Sequence, residues 1–270
     1  MINSRKIKHK LVGYLEQYEF YFKFKYSPIV YAFLKKKNPR LQRSINAEAK
    51  LYKSVLTGMS DKSLIFDIGA NLGNTSEIFC DLGGTVIAVE PDVINLNCLR
   101  ARFSSENNIT IVPVAISDTV TNETIYLQDN GDALHTLSDK WKRYLEDDND
   151  RWDDTLTFSK KRSIQTTTLE ELIQKYGTPY FIKIDVEGYE EKVISGLKTP
   201  VPLLSFEANL PQFLEETIRC VDYLNSLSEK TMFNYSDNEN LLLGEFTGCE
   251  KIKSIIANTQ LRYIDVYCKM

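Results

Sequence analysis

The segment Leu64-Ile-Phe-Asp-Ile-Gly-Ala-Asn-Leu-Gly constrains the fold more than any other stretch of the chain. A continuous run of this kind, stopped by glycine, reads as a strand buried on both faces. Comparable runs recur at 85–89, 109–116, 180–184 and 203–206, separated by helical patterns at 74–82, 93–103, 168–176 and 189–197. A further helix is expected from about 211 to 227, with late strands near 232–235 and 262–267. Strands alternating with helices predict an α/β fold: a doubly wound, Rossmann-like and mostly parallel sheet with right-handed crossovers. Ligands of such sheets bind beyond the carboxyl ends of the strands.

The flanking segments differ. Residues 1–60 show no alternation and read as a basic, aromatic-rich, mainly helical N-terminal extension, with helical pieces broken near Pro28 and Pro39 and a helix over 47–56. Residues 61–270 form the α/β domain. An insert at 128–162 reads as irregular and carries Glu146, Asp147, Asp148, Asp150, Asp153 and Asp154. Such runs are usually solvated faces, and a lid over the site is the sharper alternative.

With 33 Lys and Arg against 37 Asp and Glu, a net charge of -4 does not suggest a general nucleic-acid binder. Residues 1–45 are nonetheless basic, with Glu16 and Glu19 their only acids. Basic and aromatic residues together suit peripheral contact with an anionic membrane; a helical cap on the sheet or an oligomer contact fits equally. No run approaches the ~18 apolar residues of a membrane span, and the expected location is the cytoplasm. Five scattered cysteines without a Cys-x-x-Cys pair suggest buried free thiols in a reducing compartment. Two histidines, His9 and His135, exclude a multi-histidine metal site.

Three strand ends carry the candidate binding residues. After the first, Gly69 permits a tight turn, Gly73 permits close ligand approach, and Asn74-Thr75-Ser76-Glu77 resembles a capping-box helix start whose N–H groups favour an anion. The glycine spacing is wider than G-x-G-x-x-G, and Asp67 stands on the strand before it. That suits a ligand with one carboxylate, one amine and a sulfonium better than a pyrophosphate. The carboxylate goes to the helix start, and Asp67 holds the amine directly or through water. Glu90 follows about 20 residues on, where an acid meets ribose hydroxyls in Rossmann-like folds. Asp118, after the third strand, could accept from the adenine amino group, although Ser117-Asp118 also reads as a turn.

Phe-Asp-Ile-Gly-Ala-Asn-Leu-Gly-Asn-Thr-Ser, Val-Glu-Pro-Asp, Val-Ala-Ile-Ser-Asp and Ile-Lys-Ile-Asp-Val-Glu-Gly-Tyr-Glu follow in that order. Over roughly residues 62–210 the chain resembles the FkbM-type methyltransferases, a branch of the class I S-adenosylmethionine-dependent enzymes. The resemblance implies a seven-stranded sheet whose last strand is antiparallel, and O-methylation of hydroxyls on sugars, glycans or secondary metabolites. It also implies S-adenosylmethionine as cofactor, held by Asp67, Gly69, Asn71, Gly73, Glu90 and Asp118, to which the reading of the helix start adds Asn74 and Thr75.

Methyl transfer is an in-line displacement in which the enzyme mainly positions the acceptor oxygen. A sugar hydroxyl is a poor nucleophile at neutral pH, so a base helps. Asp185 and Glu187 flank the fourth strand exit and Glu207 sits at the fifth. The expectation is that Asp185 or Glu187 takes or orients the hydroxyl proton, with Glu207 lining the acceptor pocket. The structural alternative is that Glu187 caps the next helix and Lys183 pairs with an acid. Carboxylates here could hold Mg²⁺ through oxygen, but no additional Asp-Asn ligand motif is present and a metal is not expected. His135 could be the base if the insert folds over the site.

Three other functions share some of these features. An NAD- or nucleotide-sugar-binding oxidoreductase would share the fold, but G-x-G-x-x-G and a Tyr-x-x-x-Lys pair are missing. Nucleic-acid methylation of amino groups is disfavoured by Asp-Val-Glu-Gly in place of Asn/Asp-Pro-Pro-Tyr/Phe. A binding protein that kept the fold but lost turnover is disfavoured by acids at all the strand ends. The acceptor's identity and the oligomeric state are not readable from the sequence.

Overall fold

The computed structural model describes residues 24–128, 134–147, 156–237 and 239–270. At its centre β1 (Leu64–Ile68), β2 (Thr85–Val89), β3 (Ile109–Val112), β7 (Phe181–Ile184) and β8 (Leu203–Asn209) run parallel. β10 (Tyr263–Lys269) runs antiparallel to both β8 and β9 (Met232–Ser236). The order β3-β2-β1-β7-β8-β10-β9 is the expected doubly wound, mostly parallel seven-stranded sheet with its last strand reversed.

Strand periodicity divides the sheet into two faces. Phe66, Ile68, Ile182, Ile184, Leu204 and Phe206 point into one core, against α6 (Leu169–Tyr176), α7 (Glu190–Ser195), α8 (Leu214–Leu227) and α9 (Cys249–Asn258). Ile65, Val86, Ala88, Phe181, Leu203 and Tyr267 point into the other. The second core is covered by α2 (Pro39–Val55) through Ile45, Leu51, Tyr52 and Val55, by α3 (Asn74–Asp81) through Ile78 and Phe79, and by α4 (Val93–Arg102) through Leu99. The same alternation places Asp67, Lys183, Glu207 and Asp265 on the α2 side: Asp67 lies beside Lys183 in register, and Glu207 beside Asp265.

The N-terminal prolines open helices rather than break them. Pro28 starts α1 (Pro28–Lys36), and Pro39 starts α2, where Asn38 accepts from the Leu41 N–H at 3.2 Å. Proline suits the first turn because its missing N–H would have no partner there. Helix α2 therefore begins well before the expected residue 47.

The stretch expected as one strand over 109–116 divides at Pro113, which cannot donate to the ladder. Its second half, β4 (Ala115–Ile116), pairs with β6 (Lys160–Thr167), which pairs with β5 (Asn122–Leu127) in a separate three-stranded sheet. Thus the insert at 128–162 is bracketed by paired strands, β5 ending just before it and β6 taking in its last three residues. β5 and β6 each bury a single side chain, Ile125 and Thr166, so their apolar alternation is faint. Within the insert, α5 (Asp139–Asp147) buries Trp141 and Leu145 with Phe158 and Phe213. Glu146 is paired with Lys142, while Asp148, Asp150, Asp153 and Asp154 lie outside the described residues. Among the described residues no helix is long and apolar enough to cross a membrane.

Candidate active site

A cavity of about 810 Å³ opens beyond the carboxyl ends of β1, β2, β7 and β8. It lies within the roughly 300–1,000 Å³ range of small-molecule sites. Gly69, Asn71, Asn74, Thr75, Glu90, Asp185, Glu187 and Glu207 line it, so eight of the candidate residues share one space.

Glu90 is buried, and backbone donors hold both its oxygens: the Asn71 N–H at 2.9 Å and the Asp92 N–H at 2.8 Å. Burial pushes its carboxyl up to about 7. These donors fix its orientation and leave lone pairs for a diol. Asn71 adopts a left-handed backbone (φ 48), which asparagine tolerates, and its side-chain oxygen is buried without a partner. A buried amide oxygen in a cavity wall calls for a donor from a ligand. With Glu90 beside it, the wall fits a nucleoside with a ribose diol.

The glycine loop is organised differently from the capping-box expectation. Gly73, in the left-handed region (φ 80), is the N-cap of α3, and no side chain caps the helix. Asn74 Oδ1 instead accepts from Tyr31 Oη at 2.5 Å and Arg102 Nη1 at 2.9 Å. Glu77 accepts from Arg102 and Lys35, not from a backbone group at the helix start. Thr75 gives its hydroxyl to Glu48 at 2.7 Å. Gly73 does not line the cavity: a Cβ there would meet Leu99 and Phe103 at 2.6 Å, so this glycine serves packing. Gly69 does line it, and a Cβ there would fall 1.8 Å from the Asp185 carbonyl. Its lack of a side chain lets the β1 and β7 exits touch.

Besides Gly73, two expected ligand residues lie away from the cavity wall. Asp67 is fully buried, accepts from Ser76 Oγ at 2.5 Å and sits 3.9 Å from Lys183 Nζ. Burial raises its carboxyl while Lys183 pulls the other way. Asp118 pairs with Lys192 of α7 at 2.8 Å, because the chain turns outward after β4. Val114, Ala115 and Ile116 line the wall there, an apolar surface suited to a base.

At the other exits Asp185, Glu187 and Glu207 bring carboxylate oxygens within 4.8 Å of one another, close enough to hold a cation between them. Each also receives a protein donor. Lys183 Nζ reaches Asp185 at 2.9 Å, Trp141 Nε1 donates to Glu187 at 3.0 Å, and Asn209 Nδ2 donates to Glu207 at 2.7 Å. Burial, with Asp185 and Glu187 nearby, drives the Glu207 carboxyl well above its ordinary value. Burial would lower Lys183, but Asp185, Asp67 and Glu48 together hold it above its usual value. Glu187 has a left-handed backbone (φ 56). A non-glycine residue in this region is held by its surroundings and is common at working sites. The Tyr189 N-cap of α7 makes no side-chain cap bond, and the turn before it is held by buried Glu190, whose Oε1 accepts from the Val186 and Gly188 N–H groups at 3.2 Å.

The insert and α2 complete the walls. His135 and Leu137 line the cavity, and Thr136 donates to the Glu187 carbonyl at 2.6 Å. His135 Nδ1 accepts from the Gln128 N–H at 3.0 Å, so neutral His135 carries its proton on Nε2 and cannot accept one there. That geometry opposes its use as the base. From α2 come Arg43, Glu48, Leu51 and Tyr52, and Asp265 comes from β10. Glu48, Tyr52 and Asp265 are not among the residues expected from the sequence. Lys183 could be found by its charge inside the otherwise apolar Phe-Ile-Lys-Ile, but Glu48 carries no local signal.

A family model described as methyltransferase FkbM domain matches residues 67–232. No curated protein matches the chain. Among solved structures, precorrin-6y C5,15-methyltransferase from Geobacter metallireducens is 12% identical, with 87% of this chain and 91% of that one covered and a TM-score of 0.43. The plantazolicin methyltransferase BpumL in complex with SAH is 10% identical, with 98% of each chain covered and a TM-score of 0.43. An SAM-dependent methyltransferase from Agrobacterium tumefaciens is 6% identical, with 84% of this chain and 62% of that one covered and a TM-score of 0.44.

Proposed function

The chain belongs to the methyltransferase FkbM domain family, and on that premise we propose that it transfers a methyl group from S-adenosylmethionine to a hydroxyl of a sugar, glycan or secondary metabolite. One observation carries this reading: a single cavity is lined both by the Glu90–Asn71 wall and by the Asp185, Glu187 and Glu207 carboxylates.

When bound, S-adenosylmethionine supplies an electrophilic methyl group on a cationic sulfur. Glu90 accepts from the ribose hydroxyls, and Asn71 Oδ1 gains the donor it lacks. Glu48, which lines the cavity where Asp67 does not, takes the amine of the methionine moiety; Asp67 acts behind it through Ser76 and Lys183. Glu207, whose carboxyl is held well above its ordinary value by burial and the neighbouring carboxylates, orients the acceptor hydroxyl. Asp185 or Glu187 accepts the hydroxyl proton, with Lys183 and Trp141 holding the two carboxylates in place. Positioning contributes most, and the base a further ~10²–10⁴-fold.

Calorimetric titration with S-adenosylhomocysteine tests the cofactor assignment. Wild-type protein binds in the micromolar class and Glu90→Ala loses that binding. Glu187→Ala keeps cofactor binding but loses transfer to hydroxyl acceptors presented with labelled cofactor. No binding to folded wild-type protein sinks the cofactor reading, and full turnover by Glu187→Ala removes Glu187 from the chemistry.

A further inference from the structure

Helix α1 presents to solvent the kind of surface that helices ordinarily bury. Tyr31 faces inward, 8% exposed, with its ring 4.0 Å from the Arg102 guanidinium. On the opposite side Ile29 is 84% exposed and Phe33, one turn on, 56% exposed; Leu34, between that face and Tyr31, is 43% exposed, and Phe24, ahead of the helix, 61%. At 100° per residue, Lys36 and Lys37 fall on the same outward side as Ile29 and Phe33. Lys37 Nζ lies 4.9 Å from the Phe33 ring centre. From residue 24 to residue 47 the chain has no acid, while Lys25, Lys35, Lys36, Lys37, Arg40 and Arg43 are basic.

We infer that this face docks on an anionic lipid bilayer. Apolar side chains ringed by lysines match the boundary between acyl chains and acidic headgroups, where the apolar groups bury and the cations pair. A nucleic-acid backbone would use the lysines but leave Ile29 and Phe33 without a partner. Helix α2 starts three residues after α1 ends, and its Arg43, one turn inside, already lines the cavity. A bilayer under α1 therefore lies beside the mouth of the site, and a membrane-tethered acceptor could present its hydroxyl there.

The experiment is co-sedimentation of the full chain with phosphatidylglycerol/phosphatidylcholine vesicles and with pure phosphatidylcholine vesicles, at low and high salt. The wild type is expected to pellet with the anionic vesicles, and to do so less at high salt. Ile29→Ser/Phe33→Ser and Lys36→Glu/Lys37→Glu each weaken binding roughly tenfold or more. Thermal melting confirms that the variants fold, and S-adenosylhomocysteine binding unchanged in them separates this surface from the cofactor site. Three results overturn the proposal: no pelleting of the wild type, binding unaltered in both variants, or a wild-type dimer in size-exclusion that Ile29→Ser/Phe33→Ser dissociates. The last would assign the face to a second copy of the chain.

Discussion

The indole N–H of Trp141 donates to the Glu187 carboxylate at 3.0 Å. This bond ties the insert to the exit of β7. Trp141 is buried, stacked on Tyr144 and set edge-on to Phe213, so the donor is held rigidly. Trp141→Phe keeps most of that packing and removes the donor. A hydrogen bond to a charged group is worth about 1.5–3 kcal/mol, and denaturant unfolding is expected to show a loss in that range. Affinity for S-adenosylhomocysteine stays within about twofold, because the bond lies among the carboxylates and not at the nucleoside wall. A matching loss of affinity would mean that the insert also shapes the cofactor pocket.

Glu90 gives the cofactor site a pH dependence of defined sign. Its carboxyl sits at about 7 in the folded protein against an ordinary 4.5, because burial disfavours the charge. Its share of the free protein's stability is therefore complete below about pH 4.5 and lost as pH rises through 7. That share is up to ~3 kcal/mol. Cofactor binding runs the other way, since the ionised form accepts the ribose hydroxyls. Affinity is expected to fall up to about tenfold for each pH step below 7. Titration at several pH values checks this, and Glu90→Gln should flatten the profile. An equally steep profile in the variant would place the proton on another buried acid, such as Asp265 or Glu190, each also pushed up to about 7 by burial.

Gly69→Ala is expected to be more severe than its size suggests. Gly69 has φ 81, and a Cβ there would lie 1.8 Å from the Asp185 carbonyl oxygen, which is backbone and cannot rotate aside. Separating β1 from β7 breaks sheet pairing at the floor of the cavity. The expected cost exceeds ~4 kcal/mol, the range of the most damaging single changes. Soluble yield and thermal unfolding measure it. A cooperatively folded variant near wild-type stability would show that the two exits can part.

Asp118→Asn provides the contrasting case. Asp118 is paired with Lys192 outside the cavity. Exposed pairs contribute about 0–1 kcal/mol, so stability changes little and cofactor affinity stays within about twofold. A loss of tenfold or more in the titration would restore Asp118 to an adenine-binding role.

The sequence by itself determined the sheet and the strand ends that matter. Runs such as Leu-Ile-Phe-Asp-Ile can be satisfied only by burial on both faces, so their order and the helices between them define the doubly wound topology. A loop leaving the end of such a strand opens on the crevice, which is why Glu90, Asp185, Glu187 and Glu207 could be named from their positions alone. Tertiary structure decided which acids face the cavity. Asp67 and Asp118 resemble Glu90 in sequence, yet one is sealed beneath Lys183 and the other is turned out to α7. That choice depends on side chains from distant elements. Glu48 arrives from α2, Trp141 from the insert and Asp265 from the reversed last strand. None of these has a local pattern linking it to the strand ends, because they meet only when α2 and the insert close over the sheet and bury their own apolar faces. The same packing leaves Ile29 and Phe33 outside, so the sequence supplies the apolar residues of α1 but the fold decides that they remain at the surface.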